Sequence, residues 1–206
     1  MREKEPSTAI IFVRHGNTDF PKDRLYCDDV EDPSLNEEGV KQANLAADML
    51  QDVHVDAIIS SPSKRTLMTA DPIANSTKLR IETDAALKER PFGIWDGLYF
   101  DAIEQEFPED YLSWKKNPIS FVPQGGESIL DLAVRVKNVL EDVIRQYHGK
   151  TVVIVSHVGP IRVMISQAMD IPLEKYRQLT INNGSISRID YGRRQNNVIY
   201  LNRCHE

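Results

Sequence analysis

The sequence predicts an α/β fold with a largely parallel central sheet. Three short apolar runs rich in β-branched residues carry that expectation: "AIIFV" at 9 to 13, "AIISS" at 57 to 61 and "TVVIVS" at 151 to 156. Their near-continuous apolar character suits strands buried on both faces. The second observation is that each run is followed, directly or after a loop, by a stretch with apolar residues at helical spacing, and strand–helix alternation brings successive strands in parallel.

Taken in order, the first run follows a charged N-terminal stretch, "MREKEPST", and passes at once into Arg14, His15 and Gly16. After a polar, acid-rich loop, Asn36 is placed to cap a helix with Val40, Ala43, Ala47 and Leu50 on its apolar face. The second run closes on "SPSKR". A second helix follows through Leu67, Ala70 and Ala74, with Pro72 expected to kink it or end it. Ser128 opens the clearest helix, striped by Ile129, Leu132, Ala133, Val136, Leu140 and Val143 and stopped by Gly149. The third run comes next, ends on His157 and leads into a helix over "GPIRVMISQAM". "SISRIDY" and "NVIYLN", joined by the polar turn "GRRQN", read as two late strands. Residues 99 to 126, with Phe107, Pro108, Tyr111, Trp114, Pro118, Pro123 and paired glycines, break the alternation and read as a partly helical insertion over one end of the sheet. With no internal repeat or interdomain linker, one domain over 1 to 206 is expected.

Composition narrows the partners. At 41% hydrophobic and 27% charged residues the chain belongs with ordinary globular proteins rather than disordered or low-complexity ones. Its net charge of −6, from 31 acidic against 25 basic residues, repels nucleic acid and anionic membranes, so neither is expected as a partner. "AIIFV" is too short for a signal-peptide core or a membrane span, and a cytoplasmic location is expected. Cys27 and Cys204 lie far apart and suggest two unpaired thiols rather than a zinc site or a disulfide framework.

The ends of the apolar runs point to chemistry. "FVRH" delivers Arg14 and His15, "IISSPSKR" delivers Arg65, and "VIVSH" delivers His157. Ligands of open α/β sheets sit beyond the carboxyl ends of the strands, so these four groups can meet in one crevice. Gathered cations repel, and buried unpaired ones cost several kcal/mol; a bound dianion cancels that cost. The arrangement therefore predicts an anion pocket, with arginine forks that match phosphate oxygens, Gly16 for close backbone approach, and helix N-termini after Pro62 and Val158 as amide donors. Each residue alone has a plainer role: a strand-end histidine or arginine is more often packed or solvent-facing, and Asn17 and Thr18 after Gly16 could donate to a ligand or merely turn the chain. The conjunction carries the reading. His54, His148 and His205 have no such setting and are read as surface residues. No H-x-H or H-E-x-x-H spacing suggests a metal, and neither a P-loop nor a dinucleotide glycine motif is present.

With those residues in place, "VRHGNT" resembles the first motif of the histidine phosphatase superfamily, phosphoglycerate mutase-like branch. "DPSLNEEGVKQA", "SSPSKRTLMTA", "LKERPFGIWDG", "QGGES" and "VSHVGPIR" resemble that family's further segments in family order, along nearly the whole chain. Among its members, α-ribazole phosphatases and broad-specificity phosphatases are the ones resembled. The resemblance implies a three-layer fold with the insertion over the active site. It implies His15 as the nucleophile that takes the phosphoryl group, Arg14, Arg65 and His157 around its oxygens, and Glu89 as proton donor to the leaving oxygen. Gly16, Asn17, Thr18 and Val158 join the phosphate and substrate contacts, and no metal or organic cofactor is implied. By spacing alone Glu89 would be an ion-paired loop residue.

The implied function is hydrolysis of a small phosphorylated metabolite, with inorganic phosphate as product. Alternatives on the same pocket are a cofactor-dependent phosphoglycerate mutase, and a phosphoprotein phosphatase or regulatory module. The short insertion and the chain end soon after "NVIYLN" favour the phosphatase, and the insertion should disfavour large partners. Tyr99, Tyr111, Trp114, Lys115 and Lys116 are candidates to touch the leaving group. Two departures from the family pattern stand out: Pro21, which offers no amide donor, and the acids Asp28, Asp29, Glu31 and Asp32, expected to repel a second anionic group on a substrate.

Overall fold

The computed structural model describes residues 6–21, 23–25 and 31–205. The described residues form one six-stranded sheet in the order β3-β2-β4-β1-β5-β6, where β1 is Thr8–Arg14, β2 Ala57–Ser60, β3 Ile81–Thr83, β4 Thr151–Ser156, β5 Ile186–Tyr191 and β6 Asn196–Arg203. β1, β2, β3 and β4 run parallel; β5 runs antiparallel to β1, and β6 to β5.

Side-chain alternation along the central strands explains the three layers. Ile10 and Phe12 of β1, Ala57 and Ile59 of β2, and Val152 and Ile154 of β4 enter one core. There they meet α5 (Ile129–Gln146) and α6 (Val158–Ala168). Ile11 and Val13, Ile58, and Val153 and Val155 enter the other, against α1 (Glu37–Asp48) and α2 (Lys64–Thr77). With both faces covered, the continuous β-branched runs are accounted for. β3 was not foreseen, because three residues at a sheet edge, none of them buried, leave no apolar run to read.

The caps agree with the sequence. The Asn36 side chain accepts from the Gly39 amide at 2.9 Å, and Ser128 and Asp131 form a reciprocal capping box at the start of α5. Two expectations are corrected. Val40 is 43% exposed; the buried face of α1 is Gly39, Ala43, Ala46 and Ala47 instead, because Gly39 abuts the backbone that follows β1. Pro72 does not end α2, which continues to Thr77. Thr69, Ala70 and Ile73 are buried around it, and that packing outweighs the local cost of a proline.

Residues 99 to 126 are partly helical, with α3 (Phe100–Glu106) and α4 (Pro108–Lys116), the latter started by a proline at its first position. They pack into a small separate cluster with residues from outside the segment: buried Leu25, Trp95 and Ile103, surrounded by Phe92, Phe107, Tyr111, Trp114 and Phe121. No described helix is long and apolar enough to cross a membrane.

Candidate active site

The parallel strands end together. Arg14 pairs in register with Ser156 and Ser60 with Val155, so the residues after these ends share one rim of the sheet. A cavity of about 550 Å³ opens there, and Arg14, His15, Arg65 and Glu89 line it. The crevice expected at the carboxyl edge of an α/β sheet is thus formed, with these four expected groups at its wall.

The His15 side chain is held by its own backbone. Nδ1 lies 2.8 Å from the Gly16 carbonyl; a carbonyl only accepts, so Nδ1 carries the proton and Nε2 the lone pair. Burial, then the Arg65 and Arg14 charges, hold the imidazole pKa well below its ordinary value. His15 is consequently a neutral base at neutral pH. The Asn183 amide donates to the carbonyls of His15 and Gly16 at 3.1 and 3.3 Å and fixes this stretch from β5's side.

His157 sits beneath. It is fully buried, its ring 5.3 Å from that of His15 in an edge-to-face arrangement. The Arg65 Nη2 donates to its Nδ1 at 2.9 Å, so its Nε2 carries the proton and donates to Ser61 Oγ at 2.9 Å. Burial and the neighbouring Arg65 keep it neutral as well. His157 lies outside the cavity lining, and both its nitrogens are spent within the protein; here it orients Arg65. Arg14 is steadied from the other side, its Nη1 donating to the Ile181 carbonyl at 2.7 Å.

Glu89 occupies the start of α6. Its Oε2 accepts from the Gly159 amide at 3.1 Å and its Oε1 from the Arg90 amide at 2.9 Å. A carboxylate is well placed at a helix N-terminus. At each of the two helix starts expected to donate to a ligand, one amide donates to an acid: Gly159 to Glu89, and Lys64, at the start of α2, to the Asp32 carboxylate at 2.9 and 3.0 Å.

Asn17, Thr18 and Val158 line the cavity as expected, and Pro21, the departure from the family pattern, lines it too. Gly16 does not. A Cβ there would fall 2.4 Å from the Gly39 carbonyl oxygen, so the glycine lets α1 pack closely against the loop after β1. Tyr99, Tyr111, Trp114, Lys115 and Lys116 are also away from the lining; Phe100, at the start of α3, is the insertion residue that reaches it. Of the acidic loop, Glu31 pairs with Arg24 at 3.6 Å and Asp32 with Arg65 at 3.5 Å, which leaves neither as an unopposed negative charge. Asp28, Asp29 and Cys27 lie outside the described residues. The cavity also holds cations that the sequence reading missed: Arg24, Arg90, Arg162 and Arg177. Arg162 was within a quoted motif, "VSHVGPIR", but an arginine on a helix carries no signal of where it points.

Comparison with known proteins fits this geometry. The description "Histidine phosphatase superfamily (branch 1)" matches residues 10–203. The chain belongs to the histidine phosphatase superfamily. Phosphoserine phosphatase 1 of Hydrogenobacter thermophilus is 36% identical over 197 residues, spanning 95% of this chain and 93% of that protein. The α-ribazole phosphatase from Shigella flexneri superposes with a TM-score of 0.86 at 26% identity, covering 95% of this chain and 96% of the other. A mycobacterial glucosyl-3-phosphoglycerate phosphatase in complex with inorganic phosphate superposes with a TM-score of 0.80 at 26% identity, covering 95% and 97%. This histidine phosphatase is a phosphoric monoester hydrolase, and the cavity at the sheet edge is its candidate site.

Proposed function

We propose that this histidine phosphatase hydrolyses a small phosphomonoester metabolite through a phosphohistidine at Nε2 of His15, with Glu89 as proton donor and without a metal. The observation that carries the reading is the Nδ1 bond of His15 to the Gly16 carbonyl, which leaves Nε2 as the nucleophilic nitrogen in a cavity shared with Arg14 and Arg65. Nε2 attacks phosphorus as the bond to the ester oxygen breaks, and the two guanidiniums stabilise the charge on the equatorial oxygens. Glu89 protonates the departing alkoxide, then accepts a proton from the water that cleaves the P–N bond, releasing inorganic phosphate and free imidazole. His157 contributes by aiming Arg65.

The relatives' names supply a substrate range. Two of those cited act, by name, on phosphoserine and glucosyl-3-phosphoglycerate, and each of those compounds joins a phosphate ester to a carboxylate. A screen of phosphomonoesters read by phosphate release, with wild type and His15→Ala, tests the reading. We expect at least about 10³-fold loss in the variant and an acid-labile phosphoenzyme in quenched wild type. Undiminished turnover by His15→Ala overturns the mechanism.

A further inference from the structure

We propose that Arg162 and Arg177 form a carboxylate subsite that selects phosphomonoesters carrying a carboxylate on the leaving alcohol; this deepens the hydrolase reading above and rests on it. Both residues line the His15 cavity. Both are held in the same way, by Nε alone: Arg162 Nε donates to the Leu179 carbonyl at 2.7 Å, and Arg177 Nε to the Tyr176 hydroxyl at 3.1 Å. Among the described residues their Nη donors meet no protein acceptor, so half-buried Arg162 and exposed Arg177 both present N–H groups at the cavity. Two Nη donors on each guanidinium match the two oxygens of a carboxylate.

The surroundings favour an anion there. Arg162 is partly desolvated, and the Arg177 charge acts against its own. The same residue also weakens Arg90, which is buried against the ring of Phe92 at 4.4 Å. The groups that offset these charges are the Tyr176 phenol first and then Glu89, whose oxygens already serve two backbone amides. The insertion holds the outer fork: Arg177 lies 5.3 Å over Trp114 and 5.8 Å over Tyr176, and Trp114 packs edge-on against buried Trp95. At about 550 Å³ the cavity is in the range that holds a whole small metabolite, so a substrate can span both ends.

The test compares kcat/KM for esters that differ at the carboxylate: 3-phosphoglycerate against glycerol 3-phosphate, and phosphoserine against phosphoethanolamine. Wild type should prefer the carboxylated member of each pair by at least about tenfold, expressed mainly in KM. The ratio should fall about tenfold or more in Arg162→Met and in Arg177→Met, with Arg177→Lys in between. Because each ratio is internal to one variant, partial misfolding cancels. Phosphate release without carboxylate preference, or ratios that the variants leave unmoved, overturns the subsite and leaves the hydrolase standing. Preference for fructose 1,6-bisphosphate over the carboxylated esters overturns the carboxylate in favour of a second phosphate. Absence of release from every ester overturns the hydrolase reading itself.

Discussion

Gly159→Ala is the sharpest probe of Glu89 as the proposed proton donor. Gly159 is the second residue of α6, and a Cβ built on it would lie 2.2 Å from Oε1 and 3.2 Å from Cδ of Glu89. Restoring an ordinary carbon–oxygen contact moves the carboxylate by about 1 Å, and a misplacement of that size at a reacting group costs about 10²-fold in rate. The clash falls on the end of a side chain rather than on backbone. Alanine is also the better helix former by about 1 kcal/mol, so the fold should hold. The assay is kcat/KM, which reports the first phosphoryl transfer, for an alkyl phosphate and for p-nitrophenyl phosphate. The alkoxide needs Glu89's proton and the nitrophenolate does not. We expect about a 10²-fold fall for the alkyl ester, less than about fivefold for the aryl ester, and a melting temperature within about 3 °C of wild type. Equal falls for both esters, or no fall for the alkyl ester, would refute Glu89 as the acid.

Other expectations follow from the same geometry. Arg65→Gln should lower kcat by about 10²–10³-fold, the usual effect of losing one transition-state donor, and should release His157 from its Nδ1 partner, read as a changed imidazole signal in NMR. Gly16→Ala should destabilise the fold by about 1–3 kcal/mol, or roughly 2–12 °C in thermal melts; its Cβ would meet the Gly39 carbonyl oxygen at 2.4 Å, backbone against backbone, with no flexible group to yield. For pH, His15 and His157 have lowered pKa values in the folded state, His15 chiefly through burial with Arg65 and Arg14 adding to it. The unfolded chain therefore binds more protons as pH falls through 6.5, and stability is full above that value and lost below it, by at most about 1.4 kcal/mol per pH unit for each histidine. Melts between pH 7.5 and 5.5 should show this loss, smaller in His15→Asn; a loss of equal size in that variant would exclude His15 as a source.

The parts legible in the sequence were those whose physics is local. Continuous β-branched runs announced β1, β2 and β4, and helical periodicity with Ser128 announced α5 and its cap. Cations at three strand ends announced the pocket, since parallel strands bring such ends together. Glu89 needed the family resemblance, because a carboxylate in a loop has no local mark of being placed at a distant helix start. What was illegible depends on contacts remote in sequence. Arg162 reads as one more helix charge until the Leu179 carbonyl takes its Nε and leaves its fork in the cavity. The packing role of Gly16 shows only once Gly39 lies against it. The partners that engage both nitrogens of His157, Ser61 and Arg65, are also remote in sequence. The acidic residues before α1 likewise look repulsive until Asp32 settles on the start of α2.

The acceptor that fixes the His15 ring is a main-chain carbonyl one residue away, unlike the separate acidic side chain that orients the base of a hydrolase triad. No point substitution can delete a carbonyl, so the tautomer of His15, the proposed nucleophile, is insulated from side-chain variation across the protein. Its vulnerability lies in the path of the backbone, which the abutting Gly16 and Gly39 set. If the arginine subsite holds, a lineage could retune substrate choice there without disturbing Nε2 of His15, whereas drift at either glycine would shift the backbone that carries it.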